Sequence, residues 1–236
     1  YLLSYKTILD KKKEVRENKM LWYSLYRPAK KHIHEFTNEK IFYNQIGHTI
    51  DFCLDRDGYY CNDKLYFITS SNVNLPYLVA VFNSKIMRYY FSQIFNFGGG
   101  KGKDTFLDIP IPKINEENKK LLIDNANILL DLNKTLQTKK TKFLKRLKEN
   151  FSLDKLSKKL EAFYEYDFKT FVAELKKKKI KLSLVEQDEW EEYFEAYQKE
   201  LLDLQSQIDT TDKQIDEMVY KLYGLNDEEI AVVENG

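Results

Sequence analysis

Two stretches of this 236-residue sequence combine residue types suited to gripping a polyanion. The first runs Trp22-Tyr23-Ser24-Leu25-Tyr26-Arg27-Pro28-Ala29-Lys30-Lys31-His32 and interleaves aromatic rings with cationic or imidazole groups. A guanidinium can fork onto guanine, whereas Lys and His reach phosphates. Arg27, Lys30, Lys31 and His32 are therefore candidate DNA-binding residues. Trp22 is expected in the core, as large aromatics usually are. The second is Gly98-Gly99-Gly100-Lys101-Gly102-Lys103. A nucleotide-binding P-loop needs Gly, four residues, then Gly-Lys-Ser/Thr. Here Phe97 stands where the first Gly is required and Asp104 follows Lys103, so that match fails. A glycine-rich loop still lets ammonium groups approach a phosphate closely, which makes Lys101 and Lys103 candidate backbone contacts.

Other chemistry finds little footing. His32 and His34 share a face if the segment is a strand, but no carboxylate-and-histidine set at metal-ligand spacing completes them. No G-x-S-x-G elbow signals a nucleophile. Glu17-x-Lys19 after Asp10 is a faint nuclease-like triplet of the kind chance produces in a chain with 32% charged residues. The expectation is no catalytic residue and no metal ligand.

The elements that must position the candidate residues fall in two parts. Before Pro110-Ile111-Pro112, short β-rich runs alternate with turns: Ile41–Ile46, Ile50–Asp55 and Tyr59–Ile68 read as strands, the last two joined by a two-residue hairpin at Asp57-Gly58. Leu75-Pro76 opens a short helix capped by Asn74 or Asn72, and Asn83-Ser84 caps another to about Phe95. Phe106–Ile111 reads as a closing strand. After Pro112 the pattern is helical. Leu122, Leu129, Leu136 and Phe143 recur every seven residues across 118–149, with weaker seam positions at Asn125, Lys139 and Arg146. Leu153–Tyr164 and Asp167–Lys178 suit two shorter amphipathic helices. Trp190, Phe194, Tyr197, Leu201, Leu204, Ile208, Thr211, Ile215, Met218 and Leu222 alternate four and three apart, the stripe of a rod about 50 Å long that needs a partner such as 118–149. Gly224 sits at a C-cap, and 227–232 forms a last short helix. The predicted class is α+β: a β-rich domain over 1–113, then an all-α hairpin or bundle over 114–236.

Charge is uneven. Residues 1–113 hold 17 Lys/Arg against 11 Asp/Glu, residues 114–182 hold 18 against 10, and residues 183–236 hold 3 against 16. Such blocks either pair internally or leave a surface for a polyanion. The two cysteines build no disulfide framework. The hairpin register would place Cys53 opposite Asn62 and Cys61 opposite Leu54, on opposite faces, so free thiols in a reducing cytoplasm are expected. No apolar run approaches the roughly 18 residues of a membrane span. With Tyr1 first and no secretory leader, the chain reads as a fragment or cleaved product.

From Trp22-Tyr23 through Pro112 the sequence resembles the specificity domain of TaqI-like adenine-N6 methyltransferases and type IIG restriction–modification enzymes. The matching pieces are Trp22-Tyr23, Arg27-Pro28, Lys40–Asp55, Asp57-Gly58-Tyr59-Tyr60, Leu78-Val79-Ala80-Val81-Phe82-Asn83-Ser84-Lys85, the glycine loop and Ile109-Pro110-Ile111-Pro112. Glu189-Trp190, Tyr193-Phe194, and Ile215 to Leu225 with Glu228-Glu229-Ile230 resemble the C-terminal part of the same enzymes. The resemblance implies a target-recognition domain and helical spacer that bind double-stranded DNA and direct an upstream methyltransferase, often fused to a nuclease. It also implies that the cofactors, S-adenosylmethionine and Mg2+, belong to the parent enzyme and none to this chain. The family's Asn-Pro-Pro-Tyr-type motif has no counterpart, because no Pro-Pro pair exists here. Two alternatives stand beside this: a separate specificity subunit that docks on a methyltransferase subunit through its helices, and a coiled-coil interaction protein without specific DNA binding.

Overall fold

The computed structural model describes residues 2–24, 30–44, 49–94, 106 and 109–235, and only the backbone of residues 30–32. The fold is α+β: a three-stranded antiparallel sheet with flanking helices, followed by two long helices and a helical cap. Single helical turns α1 (Lys6–Leu9) and α2 (Lys13–Arg16) come first and bury nothing. Trp22 does not join the core as expected. It lies half-buried in a turn, edge-on to Tyr23, with the Lys6 ammonium 5.5 Å from its ring.

The sheet order is β2 (Phe52–Asp55), β1 (Lys40–Asn44), β3 (Leu65–Ile68). β1 pairs with both neighbours, so the expected hairpin joining β2 to β3 at Asp57-Gly58 is not formed. Strand β1 takes the centre because Ile41, Phe42 and Tyr43 are apolar on both faces and all buried. Gly58 does adopt the positive φ that a turn signal promises, at 75°, but inside an irregular loop. In consequence Cys53 lies opposite Phe42, and Cys61 sits before β3 with its Sγ 3.6 Å from the Leu65 carbonyl; both thiols are free. Phe106 and residues 109–111 are not strand either. Phe106 packs among Tyr43, Phe52, Phe82 and Phe91 instead, and Tyr77 and Tyr223 donate hydrogen bonds to the Pro112 and Pro110 carbonyls, holding that passage against the core.

Helix α3 (Leu75–Asn83) is capped by Asn74, which accepts from the Tyr77 amide, and buries every residue from Leu75 to Phe82. Its last residue completes the sheet edge: the Asn83 amide donates to the Phe52 carbonyl and accepts from the Phe52 N–H. That leaves Asn83 unable to cap α4 (Lys85–Ile94), and the Ser84 hydroxyl donates backward to Val81. The first free amide of α4, at Lys85, is satisfied instead by Asp216, 2.8 Å away on a distant helix.

The long helices are α5 (Glu116–Phe151) and α8 (Leu184–Tyr223). They pack along each other as the apolar stripe requires, and the weak seam positions become cross-links: Lys139 pairs with Glu200 at 2.6 Å, and the Asn125 amide lies 3.5 Å from the Met218 sulfur. Ser183 and Glu186 form a capping box at the start of α8, and Gly224 ends it at φ 69°. Only part of the expected 153–164 helix exists. Ser152 ends α5 in the left-handed region and Ser157 caps α6 (Lys158–Glu161), so 153–156 is a linker before a 3-10 turn at Phe163–Glu165. Helices α7 (Phe168–Lys177), capped by Asp167, and α9 (Asp227–Asn235) complete the chain.

Two cores result. The first joins the sheet, α3 and α4 to Leu122 and Ala126 of α5 and to Ile215 and Val219 of α8. The second gathers Leu136, Phe143 and Leu147 with Phe163, Phe171, Leu175, Trp190, Phe194 and Leu201. Phe143 is its centre, stacked on Phe163 at 3.7 Å. Replacing Phe143 by Ala should cost about 3–5 kcal/mol, whereas Leu202→Ala on the exposed side of α8 should stay within about 0.5 kcal/mol. Urea unfolding of both variants checks this; equal midpoints would remove Phe143 from the core.

Asp216 offers a second test. Burial raises its carboxyl to about 6, against the Lys85 N–H and ammonium that favour the charged form, with Asp212 and Glu234 adding repulsion. Between about pH 4 and pH 6 the folded chain therefore holds more protons than the unfolded one, and stability falls as pH rises through that window. Asp216→Asn keeps an acceptor for Lys85 without the charge. It should melt higher than wild type at pH 7, by the equivalent of about 1–3 kcal/mol, with the difference vanishing below about pH 4. A gain that persists in acid would contradict the assignment.

Candidate nucleic-acid interface

The basic stretch after Pro28 is a 3-10 helix, Lys30–Thr37, rather than the strand that the His32/His34 spacing suggested. It carries Lys30, Lys31 and His32 on its first turn. His34 is exposed with its Nε2 3.1 Å from Glu35, and the Thr37 hydroxyl donates to the His34 carbonyl to close the last turn. Arg27, Lys101 and Lys103 lie outside the described residues.

What holds this basic helix is an aromatic residue and a buried ion pair, neither singled out from sequence. Phe36 inserts between Tyr60, stacked at 4.7 Å, and Phe67 of β3 at 5.0 Å. Lys40, the first residue of β1, is fully buried. Its ammonium pairs with Asp55, donates to the Phe36 carbonyl at 2.7 Å and lies 5.2 Å from the Phe42 ring. Asp55 in turn accepts from the Asp57 and Tyr59 amides, each at 2.9 Å. One ion pair therefore ties the end of the 3-10 helix to the loop after β2. Burial would raise the Asp55 carboxyl. The hydrogen bond from Lys40, the two loop amides and the Lys40 charge outweigh it and hold the group below the ordinary carboxylate value. The register contains the clue: Lys40 and Asp55 are direct cross-strand partners at one end of the β1–β2 pair, a relation hidden when the turn is assigned to Asp57-Gly58.

The same loop is fastened on its other side to α5. Arg56 bridges Glu39 at 2.6 Å and the Asn127 side chain at 2.9 Å, and Lys134 lies 3.4 Å from Asp57. Tyr59 and Tyr60 remain about two-thirds exposed next to the basic helix. The outcome is a braced ledge, with the backbone of the Lys30–Thr37 helix on one side and exposed tyrosine rings on the other. Such a ledge suits phosphates and base edges, because Lys and aromatic side chains supply the two kinds of contact that nucleic acids accept. Among the described residues, no group of three His, Cys, Asp or Glu side chains could hold a metal ion, and no helix is long and apolar enough to cross a membrane.

Residues 4–111 match the family model described as the TaqI-like C-terminal specificity domain, and residues 115–219 match a domain of unknown function, DUF8810. The N-terminal region of the chain is thus a TaqI-like specificity region, and the ledge lies within it. None of the curated proteins matches the chain.

The ion pair makes a sharp test. Asp55→Asn strands a buried ammonium and should cost about 3–5 kcal/mol, whereas Lys40→Met combined with Asp55→Asn should recover much of that loss. Because the Asp55 carboxyl sits below its ordinary value, its contribution is present above that value and fades as pH falls through the lowered one. Thermal melts taken from pH 7 into acid should show the gap between wild type and Asp55→Asn narrowing once the pH falls below the ordinary carboxylate value; curves that stay parallel throughout would assign Asp55 no electrostatic role.

Proposed function

We propose that this chain is the DNA-sequence-recognition part of a bacterial restriction–modification enzyme. The observation that carries the reading is the match of residues 4–111 to the TaqI-like C-terminal specificity domain. The ledge built on Lys40 and Asp55 supports it, because reading a base requires a side chain held in place by its neighbours. In this reading residues 1–113 form the recognition domain and residues 114–236 the helical spacer. The chain does no chemistry itself. An adenine-N6 methyltransferase, and a nuclease as in type IIG enzymes, act from other domains of the parent polypeptide or from a separate methyltransferase subunit in the cytoplasm. S-adenosylmethionine and Mg2+ serve those domains.

Arg27 or Lys30 is assigned to base edges, Arg27 because Pro28 directly after it restricts the backbone. Lys31 and His32 on the basic helix are assigned to the adjoining phosphates. Lys101 and Lys103, set among glycines in the sequence, are assigned to phosphates. Selection from a random-sequence duplex pool should return a single short motif. Arg27→Ala should lose about 1–3 kcal/mol on that motif and relax one position, whereas Lys101→Ala with Lys103→Ala should weaken all duplexes alike and lower the salt slope by roughly one unit per site. A pool that emerges without enrichment contradicts the reading.

A further inference from the structure

The ledge does not end at the sheet. Arg56 and Asp57 attach it to Asn127 and Lys134 on one face of α5. With 3.6 residues per turn, residues 127, 134, 141, 145 and 148 project within about 40° of one direction. Lys134, Thr138, Thr141, Lys145 and Lys148 on this side are all exposed. Phe143 projects the opposite way, into the second core, so α6 and α7 pack behind the helix and leave this face open. The row from Lys134 to Lys148 spans about 20 Å.

We infer that this face of α5 is a second DNA contact, a track that takes the phosphate backbone of the duplex flanking the recognised sequence. The inference rests on the DNA-binding reading proposed above. Three observations favour it. First, the row starts where the recognition loop is fastened, so a duplex lying on the ledge has the track beside it. Secondly, its cations are available. Lys134 meets Asp57 at 3.4 Å and Lys145 meets Glu149 at 3.8 Å, both long and solvent-exposed pairs that hold a side chain weakly. Asp131 and Glu149 flank the row rather than interrupt it. Thirdly, the surface between the lysines is polar, with Thr135, Gln137, Thr138 and Thr141 exposed and no large apolar side chain among them. A protein partner would need an apolar anchor, whereas Lys, Thr and Gln are the usual backbone contacts of a DNA-binding surface.

The test compares two duplexes that share the selected sequence, of about 15 and about 35 base pairs, with the full chain across a salt series. The longer duplex should bind about tenfold more tightly to wild type. Replacing Lys145 and Lys148 by Gln, which leaves the Lys134–Asp57 fastening of the loop in place, should abolish most of that gain, lower the salt slope on the long duplex by about two units and leave the short duplex almost unchanged. The paired variant Lys176→Gln with Lys178→Gln, at the exposed end of α7, should behave as wild type. Equal gains from the flank in wild type and the Lys145→Gln, Lys148→Gln variant overturn the track, as does a wild type that binds both lengths equally. A wild type that binds neither duplex overturns the DNA-binding reading itself.

Discussion

The geometry of the recognition region depends on one buried ion pair, between Lys40 and Asp55. An ammonium without water is tolerable only if its charge and its hydrogen bonds are met inside the protein. Here the carboxylate meets the charge and the Phe36 carbonyl takes a hydrogen bond at 2.7 Å. The requirement works outward. It fixes the C-terminal turn of the basic 3-10 helix, because Phe36 belongs to it, and it fixes the Asp57–Tyr59 loop, because Asp55 holds both loop amides. The surface between the 3-10 helix and this loop is thereby braced from beneath by polar bonds that have few alternative arrangements.

A second polar contact joins the two halves of the molecule. Asp216, in the last third of α8, supplies the N-terminal cap of α4, and α9 closes over the same place through Glu234, which accepts from the Tyr220 hydroxyl and pairs with Lys85. The long helices are therefore more than a spacer hung on a linker. Leu122 and Ala126 at one end of α5, and Ile215 and Val219 near one end of α8, lie inside the first core, while Phe143 and Phe194 build the second. Continuous helices running through both cores form a stiff connection, which is what a recognition part needs if it is to place DNA relative to something else.

Local, repetitive signals in the sequence translated well. The four-three stripe from Trp190 to Leu222, the Asn74 cap, the Asp167–Lys178 helix and the Gly224 terminus each depend on neighbours within a turn or two. What failed was decided at long range. Asp57-Gly58 carries a hairpin signal, but Asp55 is bound to Lys40 across the sheet, so the chain turns into a loop and β3 pairs on the far side of β1. Ser84 looks like a cap until Asp216, 132 positions later, proves to be the acceptor. Lys40 carries no signal of its own in the sequence, because a lysine at a strand start is ordinarily solvated. Of the six candidate DNA-binding residues, Lys30, Lys31 and His32 fall together on the 3-10 helix, and Arg27, Lys101 and Lys103 lie outside the described residues.

Hydrogen–deuterium exchange of the chain with and without a duplex carrying the selected sequence tests the central claim most directly. The account predicts new protection of backbone amides in residues 30–37 and 57–60, with residues 168–177 of α7 unchanged. Protection confined to the helical region, with the 3-10 helix and the Tyr59–Tyr60 loop exchanging as in the free chain, would contradict it.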